Sequence, residues 1–124
     1  MSFNKFEPND SLAEKTYNTI EKAANSGKIA VGTNEVTKAV ERNNADLVVI
    51  AGDVSPEEIV MHLPALAEER DIPYTFVPEK EELGLAAGIN VQSATIAVTQ
   101  EGNAGDEISE VADNAAELLE KEEE

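Results

Sequence analysis

Apolar positions along the chain alternate between helical spacing and short continuous runs. Ala13, Tyr17, Ile20 and Ala24 recur four, three and four residues apart, which gives a helix one apolar face. Ser11-Leu12-Ala13-Glu14 fits an S-x-x-E capping box at its start, and Gly27 stands where a left-handed glycine would stop it. Ile29-Ala30-Val31 then reads as a first strand. Gly32-Thr33-Asn34-Glu35-Val36-Thr37-Lys38 turns that strand into a second helix with Val36, Ala39 and Val40 inward. The glycine permits the sharp turn, and Thr33 or Asn34 is expected to cap the helix. Leu47-Val48-Val49-Ile50-Ala51, an unbroken apolar run between Asp46 and Gly52, predicts a strand covered on both faces and central in its sheet.

Ser55-Pro56-Glu57-Glu58 combines a serine cap, a proline at the first helical position and a glutamate three residues past the cap. It predicts a helix with Ile59, Val60, Leu63, Leu66 and Ala67 inward, interrupted at Pro64 and resuming to about Arg70. Tyr74-Thr75-Phe76-Val77, between Pro73 and Pro78, is the third strand. Glu79 to Ala87 predicts a short helix stopped by Gly88, Ile89-Asn90-Val91-Gln92-Ser93 a loop, and Ala94 to Thr99 the fourth strand. After a turn at Gly102 to Gly105, Asp106 is expected to cap a last helix with Ile108, Val111, Ala112, Ala115 and Leu119 inward, leaving Glu120 to Glu124 as a frayed acidic end. The alternation predicts an α/β fold: a three-layer α/β/α sandwich around a small four-stranded mixed sheet, one domain over residues 1–124. Strand order is not readable from the pattern.

Composition narrows the chemistry. The absence of cysteine removes disulfides, thiol nucleophiles and thiolate zinc sites, and a single histidine, His62, removes a His-rich metal site. No signal-peptide pattern opens the chain and no apolar run spans a bilayer, so a cytosolic protein without a membrane partner is expected. The 26 acidic residues against 9 basic ones give a formal charge of −17, which taken alone argues against phosphate binding. It suits concentrated salt, where a Debye length of about 3 Å at 1 M screens self-repulsion. Basic protein partners are the second explanation.

Catalysis finds no nominee. His62 falls beside Leu63 on a helix face expected to pack inward, and reads as a packed or partly buried core histidine. No G-x-G-x-x-G, Walker loop, G-x-S-x-G or H-E-x-x-H occurs, and with so many carboxylates any pair at a given spacing arises by chance. The Gly32 to Lys38 junction offers more. Asn34, Glu35 and Lys38 place an amide, a carboxylate and an ammonium at one helix start. Such a trio can read a guanine: lysine donates to O6 or N7, asparagine pairs along an edge, and glutamate accepts from N1–H and the exocyclic amine. The alternative is a cap plus a Glu–Lys surface pair worth about 0.2–0.5 kcal/mol. Lys28, Lys38 and Arg42 fall around the junction in a chain sparing of basic residues, and Lys80 can reach the same end of the sheet.

Several linked motifs carry a resemblance. Gly32-Thr33-Asn34-Glu35-Val36-Thr37-Lys38, Asp53-Val54-Ser55-Pro56-Glu57-Glu58-Ile59, His62-Leu63-Pro64, Ile72-Pro73-Tyr74 and Leu83-Gly84-Leu85-Ala86-Ala87-Gly88, in order from Lys28 to Thr99, resemble the archaeal L7Ae family of ribosomal proteins in a haloarchaeal version. The resemblance implies binding of kink-turns, RNA elements bent sharply at an internal loop with tandem sheared G·A pairs. It implies that Asn34, Glu35 and Lys38 read the G·A guanines, that Gly32 and Thr33 make backbone and phosphate contacts, and that Ile59 meets a flipped-out nucleotide. Arg42 and Lys80 match phosphate contacts, and Ile89-Asn90-Val91 matches a loop that lies against the bulged strand and tunes sequence preference. Ribosomal RNA, box C/D and H/ACA guide RNAs, RNase P RNA and neighbouring ribosomal and guide-particle proteins are the implied partners, on a cytoplasmic ribosome, with no cofactor, metal or turnover. Two competing classes make other predictions. An acidic module that binds basic proteins without RNA would be indifferent to Glu35→Ala, and a small-molecule or nucleotide enzyme at the same helix start would lose turnover on Thr33 substitution.

Overall fold

The computed structural model describes residues 10–123, apart from the side chains of Glu57 and residues 120–123. The polar lead-in expected over residues 1–9 lies outside the described residues. In chain order the elements are α1 (Asp10–Ser26), β1 (Lys28–Val31), α2 (Thr33–Glu41), β2 (Leu47–Ala51), a 3-10 turn (Glu57–Ile59), α3 (Leu63–Glu69), β3 (Tyr74–Val77), α4 (Lys80–Ala86), β4 (Thr95–Gln100) and α5 (Gly105–Glu123).

The sheet order is β1-β4-β2-β3, with β2 and β3 parallel and the other two pairings antiparallel. It is therefore the small mixed sheet that the hydrophobic pattern predicts, with β2 inside it. Val31, Ile96, Val49 and Thr75 stand in one row across the four strands, and Ala30, Ala97, Val48 and Tyr74 in the next. Successive residues of a strand point to opposite faces, so both faces carry apolar rows. Helices cover them in two groups: α1 packs on α4 and α5, while α2 packs on α3. Every residue of β2 and β3 is buried as a result. Burial of large side chains such as Phe76, Ile20, Leu47 and Ile50 contributes about 1.5–3 kcal/mol each.

Several element ends differ from the expected ones. Ser11 lies inside the first turn of α1, so among the described residues it forms no capping box with Glu14. Gly27 is not in the left-handed region. It is required because a Cβ there would lie 2.0 Å from the carbonyl oxygen of Gln100, where β4 passes α1. The segment after Ser55-Pro56 forms only a 3-10 turn, in which the Ile59 N–H donates to the Pro56 carbonyl. Pro64 does not interrupt a helix; it sits in the first turn of α3, where its missing N–H costs nothing. That later start leaves Ile59 47% exposed rather than inward, while Val60, Leu63 and Ala67 are buried as expected. Asp106 lies within the first turn of α5, one residue past its start at Gly105, and is not its cap. The helical backbone of α5 also continues to Glu123 through residues expected to fray, consistent with the good helix propensity of Glu and Lys.

Candidate functional site

Topology brings three strand ends to one edge of the sheet. Since β1 and β2 both run antiparallel to β4, they share a direction, and β3 is parallel to β2. The carboxyl ends of β1, β2 and β3 thus lie together, at the Gly32, Asp53 and Lys80 junctions. In open α/β sheets this is the edge where ligands bind.

Gly32 makes the first junction. Its φ of +93° is available to glycine at little cost, its N–H donates to the Thr95 carbonyl (3.1 Å), and its own carbonyl accepts the Val36 N–H (2.9 Å). Gly32 is the residue at the N-cap of α2, and no side chain caps that helix, contrary to the expectation for Thr33 or Asn34. With the Gly32 backbone locked to β4, the N–H groups of Thr33, Asn34 and Glu35 have no intrahelical acceptor. Val36, Ala39 and Val40 point into the core, which turns Asn34, Glu35 and Lys38 outward, all exposed. Lys38 Nζ lies 3.3 Å from Glu35 Oε2, the surface pair foreseen for this spacing. The Asn34 amide is uncommitted among the described residues.

Thr33, Asn34, Thr37, Lys38, Ile59 and His62 line a cleft at this helix. Positions 33, 34, 37 and 38 form one helical stripe, and the turn before α3 brings Ile59 and His62 across from it. His62 is exposed, not a core histidine: with α3 beginning at Leu63 it stands at the helix's N-cap, and its Nε2 is hydrogen-bonded to the Thr37 hydroxyl at 2.9 Å. Thr37 and His62 are the cleft residues the sequence reading did not assign. The stripe through Thr33 carried a signal for Thr37, whereas His62 was hidden by the misplaced helix start.

Lys80 opens α4 at the same edge. Its N–H donates to Asp53 Oδ1 (2.9 Å), so the end of β2 fixes the start of α4. The Tyr17 hydroxyl adds a second tie, donating to the Glu79 carbonyl and accepting the Glu79 N–H, each at 3.3 Å. Burial raises the Tyr17 pKa above its ordinary value of 10.0, and the carboxylates of Glu79, Glu82 and Asp53 add to the rise. The loop after α4 carries Ile89, Asn90 and Val91, which with Glu81, Leu85 and Gln92 line a second cleft. Val91 and Leu85 are large apolar side chains left in solvent, at 67% and 61% exposure.

Two expected cations stand apart from these clefts. Lys28 begins β1 opposite Gln100, at the other edge of the sheet. Arg42 follows the far end of α2, where its N–H closes the helix on the Lys38 carbonyl. Among the described residues, no group of three or more His, Asp or Glu side chains is placed to hold a metal ion.

The architecture is a small α/β sandwich on a four-stranded mixed sheet, with polar and apolar side chains exposed together where β1, β2 and β3 end. A family model described as the ribosomal protein L7Ae/L30e/S12e/Gadd45 family matches residues 14–108, and the chain belongs to that family. It is also similar to the solved structure of the Giardia lamblia 15.5kD RNA binding protein. The two share 32% sequence identity and a TM-score of 0.83, over 90% of this chain and 92% of that one.

Proposed function

We propose that this chain is a non-enzymatic RNA-binding protein that recognises and stabilises kink-turns with tandem sheared G·A pairs, acting as one unit through the α2 edge of the sheet. The observation that carries the reading is the start of α2: an uncommitted Asn34 amide beside an exposed Glu35–Lys38 pair, on a helix with no side-chain cap. A bare cap-and-surface-pair explanation requires the cap that is missing. The family and the RNA-binding neighbour support the same reading.

In this reading Lys38 donates to guanine O6 or N7, Asn34 pairs along a base edge, and Glu35 accepts from the guanine N1–H and exocyclic amine. Thr33 supplies its backbone N–H and hydroxyl to phosphate or sugar at the helix start, and Gly32, whose own N–H is held by the Thr95 carbonyl, lets the RNA approach the backbone closely. Ile59 packs on an unstacked nucleotide, Lys80 and Arg42 meet phosphates, and the Ile89 to Val91 loop lies along the bulged strand. Lys28 and Arg42 stand away from the edge that holds the rest, and meet RNA only beyond it. Large-subunit ribosomal RNA, box C/D and H/ACA guide RNAs and RNase P RNA are the proposed ligands, with ribosomal and guide-particle proteins as neighbours in the cytoplasm. The surplus of acidic residues fits a haloarchaeal cell, where molar salt screens it.

The test is binding in high KCl to a kink-turn duplex and to the same duplex with its G·A pairs replaced by Watson–Crick pairs. Tight binding to the first alone, weakened by Glu35→Ala, is the expected result. Equal binding to both, or to neither, refutes the reading in favour of an acidic protein-interaction module.

A further inference from the structure

The loop bearing Ile89, Asn90 and Val91 is shaped by α4. Gly84, buried in the middle of this helix, occupies a position where alanine is the better helix former, so a contact explains it better than propensity does. A Cβ on Gly84 would lie 2.1 Å from the Val91 carbonyl oxygen, 3.0 Å from the Val91 carbonyl carbon and 3.1 Å from the Gln92 Cα. All three neighbours are loop backbone. The loop is also tied at both ends. At its start the Gly88 N–H donates to the Leu85 carbonyl and the Ile89 N–H to the Gly84 carbonyl (3.0 and 3.2 Å), closing α4 through Gly88 at φ +79°. At its end the Ser93 N–H donates to the Lys80 carbonyl (3.1 Å) and the Ser93 hydroxyl to the Thr95 carbonyl (2.9 Å). Asp53 fixes the N-terminus of the same helix.

From this geometry we infer that Gly84 is a positioning residue for RNA sequence selectivity. It touches no RNA. By letting the loop backbone lie directly on α4, it holds Val91 and Asn90 at a fixed distance from Lys80, so the nucleotides of the bulged strand meet a rigid surface. A side chain at 84 moves the loop by about 1 Å, enough to loosen a recognition site while its residues remain present. The inference rests on the RNA-binding reading above, but it concerns a separable property: the α2 edge confers dependence on G·A pairs, and the α4-templated loop ranks the bulge sequences.

The experiment measures the full chain's affinity for kink-turn duplexes that differ only in the bulged nucleotides, alongside the duplex with Watson–Crick pairs in place of G·A. Wild type is expected to rank the bulge variants. Gly84→Ala is expected to retain its dependence on the G·A pairs while the spread among bulge variants narrows by about three- to tenfold. A folded Gly84→Ala with the wild-type spread overturns the inference, as does a wild type that does not rank the bulges. If circular dichroism shows Gly84→Ala unfolded, Gly88→Val decides. It strains the same loop from an exposed position at φ +79°, and must narrow the spread where Gly88→Asn, which tolerates that φ, preserves it. A wild-type spread in Gly88→Val is again contradictory. Wild type binding the G·A and Watson–Crick duplexes equally identifies failure of the RNA-binding reading, and the inference falls with it.

Discussion

Asn34 separates a structural role from a recognition role at the level of one side chain. An asparagine that caps a helix loses about 0.5–2 kcal/mol of stability when replaced by alanine. Here α2 has no side-chain cap, and the Asn34 amide is exposed and uncommitted among the described residues. Asn34→Ala is therefore expected to leave thermal stability within about 0.5 kcal/mol of wild type, as for an ordinary surface substitution, while weakening kink-turn binding. A stability loss near 1 kcal/mol with unchanged RNA affinity would return the residue to a capping role. Neighbouring residues show what spacing alone could convey. The i, i+4 relation of Asn34 to Lys38 put both on one face, and the structure keeps them there. His62 was different, because its exposure depends on where α3 begins, and a proline two residues later can either break a helix or start one.

The elements were legible where a periodic apolar pattern was long or bounded. All four strands and the inward faces of α2 and α5 follow from their residues, since a buried run such as Leu47 to Ala51 has few other uses. Strand order was not legible, because β4 inserts between β1 and β2 through pairings between distant segments that no local pattern encodes. Gly27 and Gly84 were illegible for the same reason: each is explained by backbone from another segment, Gln100 in one case and Val91 in the other. Ties between elements can be tested by titration. The Tyr17 pKa is raised in the folded protein, chiefly by burial where α1 meets the start of α4. The unfolded chain releases that proton first, so this tie's contribution is intact below about pH 10 and is lost as pH rises through the folded pKa. Alkaline melts should show wild-type stability falling more steeply than that of Tyr17→Phe above about pH 10; parallel curves would show that the tie carries no such linkage.

Charge is a property of the whole molecule. The −17 opposes both folding and approach to RNA at low ionic strength. The described ion pairs do little to offset it, since Lys15–Glu110, Lys22–Glu107 and Lys38–Glu35 are all exposed. The Lys22 ammonium does hold the Glu107 carboxyl below its ordinary range, a local effect that salt screens. The melting temperature is accordingly expected to rise as KCl increases from about 0.1 to 1 M, where the Debye length falls from about 10 to 3 Å. RNA affinity is expected to fall by about 25- to 60-fold over the same range, a small loss beside that of a strongly basic binder. If Lys80 and Arg42 make the phosphate contacts proposed for them, the log–log salt slope is about −1.4 to −1.8, far from the −10 of a strongly basic binder. A steeper slope would mean that recognition rests on phosphates rather than on base edges and apolar contacts.

The reading of guanine by Glu35 is tested most directly by pairing a protein change with a single-atom-group change in the RNA. Inosine in place of the G·A guanine removes the exocyclic amine that the Glu35 carboxylate accepts from, and leaves O6, N7 and N1–H in place. Affinities of wild type and Glu35→Ala for guanosine and inosine kink-turns give a double-mutant cycle, which cancels the effect of inosine on the RNA alone. The expected result is a coupling of about 1–3 kcal/mol, with inosine costing affinity in wild type and almost none in Glu35→Ala. Equal inosine penalties in the two proteins would contradict it, and would show that Glu35 does not read the guanine.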